Sequence, residues 1–411
     1  MLRNRSLTGL VAAELVSLTG TSMTFVALPW FVYVTTGSVA KMGWVLAAEM
    51  APIGLLGIPA GSLVQRLGPK RTMLVCDAAR GPLLAILPLL YWTDRLSFTA
   101  LLAVTFAVGC FAAPYYASSR LIIPDVVGED ERLVAQVNGM LGGATMLTQV
   151  LGPVAAGVLI AATSPAAVLV VDACTYVFSF VTIGVAVRAG RRVAGTAESK
   201  GLFAGLRFLW RDSLLGPLLV AACGINLVAQ GLIVSLQVLV VRNYNESAHV
   251  LGWIFAGFGV GAVIGSIAVS KLVQKVDLLK LAAVAIVIAP LPLFLLAIEL
   301  PWGAAVVVVA TFAFFTPLIN APIIGVITVR TPQALRPKVM TAVMTVATVA
   351  GPIGFIVAGI ALQHVSLAVV FVAVAAGMLL GGIAFAAVLL RAGSTEGAAA
   401  GSVTMPDIAH G

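Results

Sequence analysis

The sequence predicts an all-α membrane protein of twelve transmembrane helices, arranged as two six-helix pseudo-repeats. Three observations predict it. Of the 411 residues, 61% are hydrophobic and only 10% charged, against roughly 25% charged in a soluble domain. The apolar residues gather in blocks, many longer than the ~20 residues that cross a bilayer as helix. They lack the period-2 alternation and ~10-residue length of membrane strands. The blocks of the first half then reappear, with their glycines and prolines, in the second.

The spans read in order as 7–34, 41–64, 72–92, 97–119, 136–161, 166–188, 213–241, 248–270, 278–298, 303–328, 338–363 and 366–390. The first is too long for a signal-peptide core and lacks a convincing cleavage site, so it reads as a retained helix. It carries Glu14, Ser17, Thr21 and Thr24 at 3-4-3 spacing, which keeps all four within roughly a 60° sector. Such a polar stripe in an apolar helix is expected to face water or substrate. Its carboxyl can carry a proton, pair with a cationic substrate, or be satisfied by a neighbouring hydroxyl.

The second span holds Glu49, another candidate proton carrier. It is followed by the basic stretch "GSLVQRLGPKR", whose Gly61 and Gly68 permit tight chain reversal and whose Arg66 and Arg71 are expected to fix it on one side. In the third span Asp77 and Arg80 are three apart, share a helical face and are expected to neutralise each other. This cluster reads as a latch on the inner gate that bears no substrate, or as a topology signal alone. The fourth span ends with Pro114, Tyr115 and Tyr116, and the sixth carries Asp172, read as a structural hydrogen-bonding acid with proton transfer as the alternative.

After the sixth span comes the longest connection, Ala189 to Asp212. Its "GLFAGLRFLW" places Leu202, Phe203, Leu206 and Leu209 on one face, as in a short amphipathic helix at a membrane surface. The seventh span presents Asn226, Gln230 and Gln237 on one side and the tenth adds Asn320. An amide-bearing wall with scattered aromatics suits an amphipathic molecule of modest polarity, although amides also bridge helices purely for packing.

Direction follows from the cations. With the N-terminus inside, the inner segments hold Arg3, Arg5, Arg66, Lys70, Arg71, Arg120, Arg132 and Arg188. They also hold Arg191, Arg192, Lys200, Arg207, Arg211, Lys271, Lys275, Lys280, Arg330, Arg336, Lys338 and Arg391. Only Lys41, Arg95 and Arg242 fall outside. Both termini are therefore expected in the cytoplasm of a bacterial-type cell, with the chain multi-pass in its cytoplasmic (inner) membrane. The net charge of +8 is accounted for by topology and anionic lipid, with no nucleic-acid partner.

The repeat gives the domain plan. Gly152-Pro153 in span five matches Gly351-Pro352 in span eleven, Pro114 matches Pro317, and Gly61 matches Gly265. Two parallel six-helix halves are expected: residues 1–188, a cytoplasmic linker at 189–212, and 213–390. A small, polar, disordered tail is expected at 391–411. Substrate sites in such repeats lie near midplane between the halves.

Several stretches carry a resemblance. The loop bearing Gly61, Arg66, Gly68 and Arg71 is similar to the loop between helices two and three of the major facilitator superfamily. "CDAAR", "RLIIPDVVGEDERLVAQVNG", "VDACTYVFS" and "GLRFLWRD" resemble its branch of macrolide-efflux-like proteins and the enterobactin exporter. Helix five resembles the exporter pattern G-x8-G-x3-G-P-x2-G-G, matched by Gly139, Gly152, Pro153 and Gly157, with Thr148 and Ala156 where the pattern has glycine. The resemblance runs to about Leu390. It implies the major facilitator fold, alternating access and export. Gln65 stands where the family's loop has an acid implicated in gate closure. The mid-membrane arginine of many proton–drug antiporters is absent from span four, whose first arginine is Arg120.

The expected function is thus a secondary transporter exporting a small amphipathic or lipophilic compound, with a proton gradient as energy source and no cofactor. A lipid or lysolipid flippase on the same fold and a non-transporting membrane sensor are the alternatives. No nucleotide-binding loop is present. His249, His364 and His410 are too scattered for a metal or catalytic site, and no nucleophile–base pair points to an enzyme. The four cysteines sit in apolar blocks and read as packed thiols. A monomer is expected.

Overall fold

A computed structural model describes residues 5–128, 130–187, 204–212, 214–245, 247–272, 276–332 and 335–401. The first half comprises α1 (Arg5–Thr36), α2 (Val39–Leu67), α3 (Pro69–Trp92), α4 (Phe98–Cys110), α5 (Ala112–Leu121), α6 (Ile123–Val127), α7 (Glu131–Ala162) and α8 (Pro165–Ala186). Then follow α9 (Ala204–Arg211), α10 (Leu215–Asn243), α11 (Ala248–Leu272), α12 (Leu278–Ile288), a 3₁₀ turn at Leu291–Ala297, α13 (Trp302–Arg330), α14 (Arg336–His364) and α15 (Leu367–Gly401). Eleven described segments are long and apolar enough to cross a membrane, and α14 supplies a shorter apolar stretch at Thr348–His364. In hydrocarbon every backbone polar group needs an internal partner, which is why the apolar blocks form helices.

The breaks have local causes. Gly37 and Gly68 adopt φ of +62° and +82°, and their amides close the preceding turns onto Tyr33 and Val64 at 2.7 and 2.8 Å. Of the two glycines assigned to the hinge, only Gly68 turns the chain; Gly61 lies within α2, because nothing interrupts the helix before Leu67. The loop acids cap helices: Asp130, Asp212 and Asp277 accept the first amides of α7, α10 and α12. Span four is broken at Phe111 into α4 and α5, and span nine passes from α12 into 3₁₀ geometry at Pro290 and Pro292, where proline amides cannot donate. The tail expected to be disordered from Arg391 instead continues α15 to Gly401. Leu202 and Phe203 lie outside the described residues.

Packing reproduces the repeat. α7 lies on α1 where a Cβ on Gly152 would strike Ser22, and α14 lies on α10 where one on Gly354 would strike the Leu227 carbonyl. The halves meet through α2 against α14 and α7 against α11. Gly43 abuts Phe355 and Gly359, while a Cβ on Gly157 would stand 2.8 Å from the Ala248 carbonyl and 2.9 Å from Gly252.

Successive spans alternate in direction, so the Gly37 turn and the Gly68 turn mark opposite faces. The apolar core that bridges the halves includes Trp30, Met42, Leu239, Leu251 and Phe355 and lies toward the Gly37 face. Toward the Gly68 face each half has its own core: Leu10, Met73 and Ile183 in one, Leu214, Ala282 and Phe385 in the other. In this state the halves are sealed together on the Gly37 side.

Candidate functional site

Beneath that seal lies a cavity of about 350 Å³ between the halves. Its first wall comes from the N-terminal half: Thr21, Thr24 and Phe25 of α1, Glu49 of α2, Arg80 of α3, Tyr116 of α5, Gln149 and Pro153 of α7, and Asp172 and Tyr176 of α8. The facing wall is Leu232, Ile233 and Leu236 of α10 with Phe255 and Phe258 of α11. All the polarity is on one side.

That side is organised around Arg80, which is 4% exposed. Its guanidinium donates to the Tyr176 hydroxyl at 2.7 Å and reaches Thr21 Oγ1 at 3.5 Å. It lies over the Tyr176 ring at 4.2 Å and the Tyr115 ring at 5.6 Å. Asp172 is fully buried and accepts from Thr24 at 2.6 Å and Thr175 at 3.0 Å. Gly20 gives that carboxylate its space, since a Cβ there would meet Asp172 Oδ1. Glu49 lies against Gly109, and its Oε2 is buried without a hydrogen-bond partner. One cation thus shares the cavity with two acids, and no ion pair within 4 Å joins them among the described residues.

This corrects the reading of Asp77 and Arg80 as a neutralised pair at the gate. Arg80 sits mid-helix in the cavity wall, held by aromatic faces and hydroxyls of α8 and α1. Asp77 is buried beside Ser179 and Glu14 and forms no ion pair with Arg80 within 4 Å. Sharing a face three residues apart did not suffice, because Tyr176 offers Arg80 both a hydrogen bond and a ring. Arg66 and Arg71 are exposed at the Gly68 turn, and the Gln65 side chain lies outside those described.

The α1 stripe divides. Thr21 and Thr24 line the cavity, whereas Glu14 and Ser17 are buried below it. Glu14 stands beside Ser119, Tyr115 and Arg120. A 10-residue separation along a helix is about 15 Å of rise, so a stripe on one face need not open into one cavity. Tyr116 lines the cavity, while Tyr115 is turned away to Ser179 at 3.3 Å.

None of the expected amides lines this cavity. Asn226 donates to Ala222 on its own helix, Gln230 packs under Gly351 and Gly354, and Gln237 is fully buried. Asn320 is exposed on α13. The glycines of α14 draw it over the face expected to be open. Gly152 and Gly157 are close-approach points, Pro153 lines the cavity, and a Cβ on Gly139 would meet nothing within 4 Å. Sequence reasoning missed Gln149, four residues before Pro153, and the Phe255–Phe258 pair, whose i, i+3 spacing was the available signal. Cys174 is an exposed free thiol, not a packed one.

The family described as transmembrane secretion effector matches residues 1–409. The chain is 27% identical over 386 residues to the multidrug efflux pump Tap of Mycolicibacterium fortuitum, covering 90% of this chain and 92% of that protein. It is 24% identical over 374 residues to the pump of the same name from Mycobacterium tuberculosis, covering 88% of each. Among solved structures it superposes on the nucleoside transporter NupG with a TM-score of 0.75 at 12% identity, covering 93% of this chain and 98% of that one. A bacterial homologue of the human lysosomal transporter Spinster gives 0.68 at 15% identity, covering 96% of each.

Proposed function

The chain belongs to the transmembrane secretion effector family of the major facilitator superfamily, and from that premise we propose that it exports small amphipathic or lipophilic compounds by proton antiport. It is a multi-pass membrane protein of a transporter family; the direction, the coupling and the substrate are the proposal. The cation asymmetry supports placing the Gly68 face in the cytoplasm of a bacterial inner membrane. The seal on the Gly37 side then belongs to an inward-facing state, in which an exporter loads.

The observation that carries the reading is the two-sided cavity. An aromatic and aliphatic wall on α10 and α11 receives the hydrocarbon of a substrate, and the opposite wall presents Glu49, Asp172 and Arg80. Asp172 and Arg80 have hydroxyl and aromatic partners, whereas one oxygen of Glu49 has none. An unpartnered buried carboxyl is costly when ionised, so Glu49 is the group suited to exchange a proton for the polar or cationic end of a substrate. Glu14, set apart from the cavity, is a later station for that proton toward the Gly68 face.

The test uses inverted membrane vesicles with an imposed proton gradient and a panel of lipophilic cations, macrolides and neutral drugs. The expected result is drug-dependent proton release by the wild type, abolished in Glu49→Gln and slowed in Glu14→Gln. Release that survives Glu49→Gln overturns the assignment of Glu49. An absence of release with every compound overturns proton-coupled drug export, and flipping of lysolipid becomes the reading to test.

A further inference from the structure

A second hollow lies outside the bundle, lined by α9, the first turns of α10 and the last membrane turns of α15. It encloses about 530 Å³, and Trp210, Pro217, Val220, Ala384 and Val388 line it. Among the described residues no charged side chain lines it. Gly216 makes the junction possible, because a Cβ there would stand 3.2 Å from the Leu209 carbonyl.

The short helix above it has two faces. Leu209 is 1% exposed and packs with Leu215, Leu219, Ile327 and Val339, helped by Leu206 and Phe208. Arg207, Trp210 and Arg211 follow i, i+3, i+4 spacing and therefore share the other face. All three are exposed, Trp210 at 59%. Neither arginine has an ion pair within 4 Å among the described residues. The adjacent acid, Asp212, uses Oδ1 to accept the Leu214 and Leu215 amides at 2.9 Å each.

We propose that this hollow is a binding site for an anionic phospholipid, with an acyl chain along Val220 and Val388 and the phosphate held by Arg207 and Arg211. A lipid-facing hollow is always filled by some chain; the claim is selection by charge. Two unpaired guanidiniums beside an apolar groove match a lipid that is anionic at one end and hydrocarbon at the other. Trp210, amphipathic and placed between them, suits the headgroup boundary. Among the helix pairs with appreciable contact, α9 touches only α10 and α14, so the bound lipid would fasten the C-terminal half to its leaflet.

The test is native mass spectrometry of the full chain after equilibration in nanodiscs of equal phosphatidylglycerol and phosphatidylethanolamine. The wild type is expected to retain phosphatidylglycerol about tenfold over phosphatidylethanolamine. Arg207→Gln with Arg211→Gln should bring the ratio near one, and the corresponding lysine pair should keep most of it. Val220→Trp should reduce retention of both lipids while the protein stays monodisperse on size exclusion. Equal retention by the wild type, or a preference that survives the glutamine pair, overturns the site. Displacement of the retained lipid by an exported drug assigns the hollow to substrate instead and also overturns it. None of these readouts requires transport.

Discussion

Arg80 of α3 and Tyr176 of α8 are joined twice, by a 2.7 Å hydrogen bond from guanidinium to phenol and by the cation lying 4.2 Å from the ring centroid. The buried cation is held without an ion pair, through a hydroxyl and a π face, while its Nε has no hydrogen-bond partner. The N-terminal half thereby keeps a fixed positive charge in the cavity wall while both cavity acids remain outside ion-pair distance.

Lysine lacks the planar fork that reaches Tyr176 and Thr21 together. Arg80→Lys is therefore expected to lower transport at least tenfold with the protein still inserted, since a hydrogen bond to a charged group contributes about 1.5–3 kcal/mol. Tyr176→Phe keeps the ring and loses the hydroxyl, so a smaller loss, of a fewfold, is expected. Initial efflux rates from loaded cells, normalised to membrane abundance, decide it. Equal loss in the two variants would show that the ring contributes nothing.

If Glu49 exchanges a proton for a cationic substrate, binding must weaken on acidification. The ionised carboxylate attracts the cation and its protonated form does not, so affinity falls as pH falls, by at most a factor of ten per pH unit for one proton exchanged. Equilibrium binding of a fluorescent lipophilic cation to purified protein should show this slope. In Glu49→Gln the affinity should be nearly flat with pH, at the level that the wild type reaches on acidification. A slope retained in that variant moves the exchange to Asp172.

Gln237 is fully buried toward the Gly37 face, with neither amide atom hydrogen-bonded, and Ser235 Oγ shares that condition. Each unsatisfied group costs about 1–3 kcal/mol, a penalty relieved when the seal opens to water. Gln237→Leu should hold the seal shut, so thermal stability rises while turnover drops. A variant that transports at the wild-type rate with raised stability would separate the amide from the opening step.

Much of this was legible in the sequence, and the misses share one cause. Helix count and the repeat follow from block length, and of the residues expected at the cavity Thr21, Thr24 and Tyr116 do line it. Arg80 was misplaced because periodicity reports neighbours on the same helix, and its partner Tyr176 lies on another, 96 positions along the chain. Asn226, Gln230 and Gln237 do share a face, but spacing does not say what covers it. Gly351 and Gly354 decide that by admitting α14 against Gln230 and Leu227. Sequence shows which side chains point together; the close-packing glycines determine which of those faces stay open.

The seal on the Gly37 side depends on the same kind of contact. A Cβ on Gly157 would lie 2.8 Å from the Ala248 carbonyl and 2.9 Å from the Cα of Gly252, both backbone atoms that cannot rotate away. Gly157→Val must therefore push α7 from α11, and the two halves apart, on that side. In a background with Cys76, Cys110, Cys174 and Cys223 replaced, Leu239→Cys reports on this directly, since Leu239 is 4% exposed within the bridging core. Its reactivity with a membrane-impermeant maleimide should rise at least tenfold when Gly157→Val is added, because the population gained by the open state scales as a factor of ten for each 1.4 kcal/mol of strain. Gly139→Val, placed where a Cβ meets nothing within 4 Å, should leave labelling unchanged. Equal labelling in all three backgrounds would mean that closure on this side does not rest on the α7–α11 contact, and the burden would shift to Gly43 and Gly359 across α2 and α14.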